Sequence, residues 1–500
     1  MHTRRHFIRT VLLGGSAAGL AACSSETGGH APRSARRGPT RLRGDDFETC
    51  HAVRDGLPLP TAEVSAQHDV VIVGGGPSGL SAAYRLRDRE LLLLEKEHVL
   101  GGNCVIDEWQ GVKLSTGGAF YTETEADLVA LFDEIGARGS KVLGGDSLVV
   151  GGQAVTDFFR DGADRLPFPQ NVRDDFKRSR EDMLRLLRTK PAQALDRLSF
   201  AELLAAYDPV LTRFWDRFGA SNWGGVAEET SGFVGAEAYT WAGGADDPRW
   251  TFPGGISEGA RLLAEWLRSR LGERLRTRAA VYRIERPDKG RGAIVRYLEG
   301  GQAFAVRARA VIVALPKFYA SHIIPGLPAA QLQAMQAFRY APFPVFNVCL
   351  DRPGPEPAYD NWFLDTPFTD FIPADWILHA GKGSPLRKTA LTVYHPLPQD
   401  RRKELLADPL VLDMADAVAG ALERHFPGTL PKIAEVRVFR RGHPMFIASP
   451  GLFARAERAG QPFGPVLFAN TDSSPGVSSF DGALRAATRA AEAALKLVAA

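Results

Sequence analysis

One run constrains this chain more than any other: Asp69 to Asn103, DVVIVGGGPSGLSAAYRLRDRELLLLEKEHVLGGN. It opens on Val70-Val71-Ile72-Val73, the unbroken β-branched pattern of a strand buried on both faces. Gly74, Gly76 and Gly79 follow at G-x-G-x-x-G spacing, with Pro77 and Ser78 completing the turn into a helical pattern of Leu80, Ala83, Tyr84 and Leu86. A second apolar run, Leu91 to Leu94, ends in Glu95 and Lys96. In such a βαβ unit the first glycine allows the tight turn and the second lets a pyrophosphate approach the backbone. The third lets helix and strand pack closely, the helix N-terminus faces the phosphates, and the acid accepts from ribose hydroxyls. A lone G-x-G-x-x-G is a weak signal, and an ordinary glycine turn is the plain alternative. Here strand, turn, helix, strand and acid all stand in order, which points to dinucleotide binding.

Beyond Glu95 the chain reaches Gly101-Gly102 and then Gly117-Gly118. With the first unit, these pairs resemble the flavin-containing amine oxidase superfamily, which includes amine oxidases, protoporphyrinogen oxidase and carotenoid-type desaturases. The resemblance runs from about Asp69 to the C-terminus and implies FAD, bound non-covalently. The family carries Arg after the first pair, whereas Asn103 stands here, which removes a cationic contact. Carried onto this sequence, the family's adenine contact falls on the backbone of Val281. Its turn near the flavin falls on Ala314-Leu315-Pro316. Its last motif falls on Val466 to Gly476 and the following helix, with Asp472 as the acid and Phe480 and Ala483 at the helix start. The implied fold class is α/β: a Rossmann-like, discontinuous FAD-binding domain with an α+β substrate domain, the amine oxidase (glutathione-reductase-2-like) architecture. The segments are 67–120, 251–335 and 433–500 for the FAD domain, and 121–250 and 336–432 for the substrate domain.

Flavin chemistry asks little of side chains beyond orientation, dryness and charge near the ring. His443, in Arg440-Arg441-Gly442-His443-Pro444-Met445-Phe446, is the candidate catalytic base, since an imidazole titrates near neutrality. A histidine hydrogen-bonded in the turn before Pro444 is the bland alternative. Phe120, Tyr121, Tyr239, Trp241 and Met445 are candidates for the pocket wall, although clustered aromatics are as often core. Two family features are missing: no Lys occurs between Lys317 and Lys382, and Ser479 stands where the family has a cage Tyr. The expected activity is oxidation of a C–N bond by hydride transfer to flavin N5. A desaturase or isomerase of an apolar donor is the alternative, and a flavoprotein without turnover a third. No motif fixes the electron acceptor, whether oxygen, quinone or cytochrome.

The N-terminus tells a separate story. Thr3-Arg4-Arg5-His6-Phe7 resembles a twin-arginine signal, and the apolar stretch from Val11 to Leu20 is too short to span a bilayer. Leu20-Ala21-Ala22-Cys23 resembles a bacterial lipobox, which makes 1–22 a signal peptide and Cys23 the lipidated residue unless cleavage simply leaves it incidental. That implies export to the periplasmic side and contact with a membrane surface. Residues 23–44 read as a disordered tether rich in Gly, Pro, Ser and Arg. Residues 45–66 read as an arm resembling that of bacterial spermidine dehydrogenase. Some of that group carry haem b, but a lone His51 is more often a packing residue, and no Cys opens C-x-x-C-H. The whole-chain charge of +3 falls to zero once the three Arg of the signal are removed. No basic, aromatic-studded face suggests nucleic acid. Besides Cys23 only Cys50, Cys104 and Cys349 remain, an odd set with no disulfide framework.

Overall fold

Parallel pairing builds the first sheet. Val70–Val73 takes Leu91–Leu94 on one side and Ala310–Val313 on the other, and Val466–Phe468 adds beyond. Residues 38–242, 248–287, 291–380 and 388–499 are described in this computed structural model. The signal, the lipobox and Cys23 lie outside them. Both faces of the parallel strands are covered, which explains the unbroken apolar runs. Val70, Ile72, Leu91 and Leu93 meet the helices Pro77–Arg85, Ile256–Leu271 and Phe480–Ala499 on one face. Val71, Val73, Leu92 and Leu94 face the opposite core. There the antiparallel strands Ala279–Glu285, Ala293–Glu299 and Gln302–Val313 form the meander that their alternation predicts.

The second sheet has eight strands. In spatial order they are Thr40–Gly44, Ile433–Arg440, Val345–Leu350, Thr389–Tyr394, Asp370–Pro373, Asp360–Phe363, Asp146–Val150 and Gln153–Thr156. Because side chains alternate, register decides which residues share a face. Phe346, Val348, Phe363, Phe371, Leu391 and Val393 bury one face against helix Asp408–His425. Pairing of Asp370 with Tyr394 and Trp362, and of Asp360 with Asp146, puts a different set on the other face. That set is Asp146, Asp360, Trp362, Asp370, Ile372, Thr392 and Tyr394. A helical insertion including Gln170–Thr189 and Pro209–Trp223 closes around Phe158, Phe159, Phe176, Phe214 and Trp215. Within it, helix Phe200–Leu204 starts at the expected capping box of Ser199 and Glu202.

Three boundaries differ from the expectation. Ile433–Arg440 belongs to the substrate-side sheet, since its alternation satisfies either sheet and only pairing with Val345–Leu350 decides. Tyr121, Leu128, Leu131 and Phe132 pack into the core of the first sheet's helices, so the segment after Gly118 stays with that domain. Thr40–Gly44, read as tether, is a strand parallel to Val436–Arg440. Leu42 packs toward the core there, while Arg41 pairs with Glu435 at 2.8 Å and Arg43 with Asp107 at 3.2 Å. Phe363, fully buried, packs edge-on to Phe368 at 5.1 Å. Phe363→Ala is expected to cost about 3–5 kcal/mol in chemical unfolding while leaving far-UV circular dichroism unchanged.

Candidate functional site

The glycine turn is built as its sequence requires. Gly74 has φ +104°, and a Cβ there would sit 2.8 Å from the Ala314 carbonyl oxygen. At Gly79 a Cβ would lie 1.8 Å from the Gly74 carbonyl oxygen, so helix and strand are in direct contact. Gly76 is different. The nearest atom to a Cβ on it is the Gly102 Cα at 3.6 Å, so this backbone faces open space. Helix Pro77–Arg85 begins there with Pro in its first turn, and no side chain caps its amide groups. Bare N–H groups, a helix dipole and room beside two glycines make a cradle that fits an anionic pyrophosphate.

Next to the turn, buried Glu95 accepts from the Gly75 amide at 2.6 Å and the Glu97 amide at 2.8 Å. Burial nevertheless pushes its carboxyl above the usual range. Lys96 donates to the Asp46 carbonyl at 2.6 Å, and Asp46 donates its amide to Glu97 at 2.9 Å. The N-terminal arm is thereby anchored over the acid, and its helix Glu48–Arg54 carries His51 against the Phe47 ring at 4.6 Å. The Val281 carbonyl accepts from the Tyr319 hydroxyl at 2.9 Å.

Four segments meet at the two Gly-Gly turns. Arg441, 2% exposed, donates to the Gly102 carbonyl at 2.9 Å and the Thr116 carbonyl at 2.5 Å, while its Nε, with no hydrogen bond, lies 3.7 Å from the Asp45 carboxylate. A cation therefore reaches this corner from a segment remote in sequence, next to Asn103, where sequence reading saw one lost. Asn103 itself donates to the Pro444 carbonyl at 2.5 Å. From the second sheet, Tyr394 donates to the Gly117 carbonyl at 3.0 Å and Asn347 to the Ser115 carbonyl at 3.0 Å. Gly118 backs onto Ile256 and Cys104. His443 stacks on Phe318 at 4.4 Å. Burial, with the nearby Arg402 charge, lowers its pKa to about 3. Such an imidazole stays neutral and is a weak base, and its stacking on Phe318 fits the packing alternative.

Asp472 is a correction. Its carboxylate is not free to meet a ligand: it binds Lys317 Nζ at 2.7 Å, the Lys317 amide at 2.9 Å and the Tyr340 hydroxyl at 2.5 Å. Lys317 and Asp472 are both fully buried. They tie the turn after Ala314-Leu315-Pro316 to the last motif. Phe480 and Ala483 open the final helix and are both buried, with Phe480 in the helix-side core against Phe132 at 5.7 Å.

The aromatic candidates divide. Tyr239 accepts from the Trp215 indole at 2.7 Å inside the insertion core, and Tyr121 accepts from the Gly139 amide at 3.2 Å while packing on Phe132. Both are structural, a correction, because aromatic density marks a core as readily as a pocket. Trp241 is half-buried on Phe218. Phe120 and Met445 pack with Tyr359, Ile372 and Tyr394. The last three line a cavity together with Ser115, Ala119 and Thr392.

Sequence reasoning missed what lies on the same sheet face. Asp146, Asp360 and Asp370 are at most 4% exposed. Arg249 grips Asp146 with both guanidinium nitrogens, at 2.5 and 2.9 Å, and its guanidinium lies 4.3 Å from the Phe120 ring centre. Among the described residues neither Asp360 nor Asp370 has a salt bridge, and each has one oxygen without a hydrogen-bond partner. Burial pushes the Asp370 pKa up to about 7 and that of Asp360 well above its usual value, the latter raised further by Asp370. The one available signal was an acid heading each of three apolar strands.

Comparisons with known proteins complete the description. A family model described as flavin containing amine oxidoreductase matches residues 77–495. The Serratia sp. (strain ATCC 39006) oxidoreductase PigB is 24% identical over 394 residues, covering 64% of this chain and 58% of that one. A Mycobacterium tuberculosis chain provisionally named a flavin-containing monoamine oxidase, AofH, is 26% identical over 466 residues, covering 85% and 95%. Among solved structures, putrescine oxidase bound to putrescine superposes with a TM-score of 0.68 at 21% identity, covering 87% of this chain and all of that one. At that identity the likeness speaks for the fold.

Two substitutions separate cradle from frame. Gly76→Leu keeps an ordinary backbone but fills the open side, and its flavin-to-protein absorbance ratio is expected to collapse with little loss of stability. Lys317→Met strands a buried carboxylate, with an expected loss of about 3–5 kcal/mol in urea unfolding that Lys317→Met/Asp472→Leu largely restores.

Proposed function

Because the chain belongs to the flavin containing amine oxidoreductase family, we propose that it oxidises a C–N bond in a cationic amine on the exported side of the cell. It is an FAD-dependent oxidoreductase. Bound FAD supplies the hydride acceptor at N5. The bare helix start beside Gly76, with Gly102 opposite, would hold its pyrophosphate, and Arg441 would add positive charge near the two Gly-Gly turns.

The observation that carries the substrate class is the pair Asp360 and Asp370. Arg249 and Arg217 act on these two buried carboxyls only from a distance, and acids with no salt bridge of their own are costly unless they are neutral or meet a cation. An ammonium group arriving on this face supplies that cation, and the aromatic rings of Phe120, Tyr359 and Tyr394 flank its aliphatic part. An apolar donor would leave one oxygen of each acid without a partner, which speaks against the desaturase reading. Putrescine, bound in a structure of similar fold, is an amine of this kind.

Protonation gives the binding a direction in pH. Asp370 is protonated below about pH 7 and holds a cation only once ionised above it. The KM for diamines is therefore expected to fall as pH rises through about 7. Asp370→Asn should flatten that profile and raise KM about 10–100-fold, since a charged hydrogen bond is worth about 1.5–3 kcal/mol. Anaerobic bleaching of the flavin tests the class: putrescine or spermidine should bleach it, and bleaching by lipophilic donors alone would sink the proposal.

Export and anchoring rest on Arg4-Arg5 and on Cys23 after Leu20-Ala21-Ala22. Mass spectrometry of the mature N-terminus should find a diacylglyceryl-modified Cys23, and Cys23→Ser should move the protein from membrane to soluble fraction.

A further inference from the structure

We propose that Glu356, Asp375 and His379 form a binding site for one divalent ion of the zinc class, just beyond the end of the strand Asp370–Pro373 in the second sheet. One ligand atom from each residue lies within 4.8 Å of the others. Asp375 stands at the start of the short helix Trp376–His379. His379 is four residues on, the spacing that brings two helix-borne side chains together.

The geometry has an unfilled centre. His379 Nε2 lies 2.7 Å from Glu356 Oε2, an ordinary hydrogen bond. Its other nitrogen, Nδ1, lies 3.8 Å from Asp375 Oδ2, too far for one. Both atoms are buried and both lack a partner. The residues are 8% and 1% exposed. Two such atoms facing each other across that gap cost free energy unless something sits between them. An ion about 2.1 Å from each would span it with ordinary zinc–nitrogen and zinc–oxygen lengths.

The neighbours fit this role. Glu356 accepting from Nε2–H leaves the Nδ1 lone pair toward Asp375, the carboxylate–histidine–metal arrangement that fixes tautomer and ring angle. The other Asp375 oxygen accepts from the Thr389 hydroxyl, which holds the carboxylate in place. Two carboxylates surround one imidazole, and among the described residues no Lys or Arg forms a salt bridge with either. One nitrogen and one carboxylate oxygen, with solvent completing the shell, suit zinc-class ions better than magnesium or calcium, which take oxygen ligands. Trp376 and Ile377, between the two helix ligands, line the cavity beside Tyr359 and Tyr394. A bound ion would thus fix one wall of that cavity.

The test uses the mature flavoprotein, stripped with EDTA, dialysed and titrated with ZnCl2 by calorimetry. One saturable Zn2+ per chain is expected, with a melting temperature raised by several degrees. Affinity should fall more than tenfold in His379→Ala and in Asp375→Asn, and about 10–100-fold in Glu356→Gln. Co2+ loading of the wild type should give visible d–d absorption bands, a readout that needs no variant to fold. No saturable Zn2+, no Co2+ bands, or unchanged affinity in Glu356→Gln and His379→Ala would overturn the site and leave an imidazolium clamp between two acids.

Discussion

The buried ion pair of Lys317 and Asp472 is the constraint on which the cofactor domain depends. Its two halves come from segments 155 residues apart in sequence. Neither charge is exposed, so the pair persists only while both segments stay in place. Breaking it exposes the low-dielectric cost of a lone ion, which is why the pair enforces one arrangement more than it adds net stability. Tyr340, donating to the same carboxylate, extends the lock to the strand entering the substrate domain. Three pieces of chain are thus held at one corner, and the glycine cradle opens beside it.

What could be read in advance follows the distance over which each signal acts. The strand, turn and helix from Val70 to Arg85 were legible because every cue is local: β-branching, glycine spacing, helical periodicity. The meander around Val295 was legible for the same reason. Asp472 was misjudged because an acid after a strand resembles a ligand until its partner Lys317 is placed. Tyr121 and Tyr239 were misjudged because a hydroxylated ring suits a core once one amide or indole satisfies it. The acids at 146, 360 and 370 could not be grouped at all. Strand register brings them onto one face, and register is a tertiary property.

That face gives the two sheets different tasks. The parallel sheet offers backbone: amides, glycine space and a helix end. The larger sheet offers side chains, with Tyr394 and Asn347 docking it against the Gly117 turn and the aspartates left over. Arg441 joins the two, since its strand belongs to the larger sheet's neighbourhood while its guanidinium serves the glycine turns. A loss at position 103 and a gain at 441 are separate in sequence and adjacent in space.

The strand Thr40–Gly44 sets a leash. It is pinned along Val436–Arg440, so if Cys23 carries lipid only the residues between Cys23 and Thr40 would bridge the gap to a bilayer. At about 3.3–3.6 Å per residue, that stretch reaches on the order of 60 Å when fully drawn out. If Cys23 carries lipid, the catalytic body therefore patrols a shallow layer above the membrane. Redox partners embedded in that bilayer would meet it at a high local concentration, whereas freely diffusing ones gain nothing from the tether.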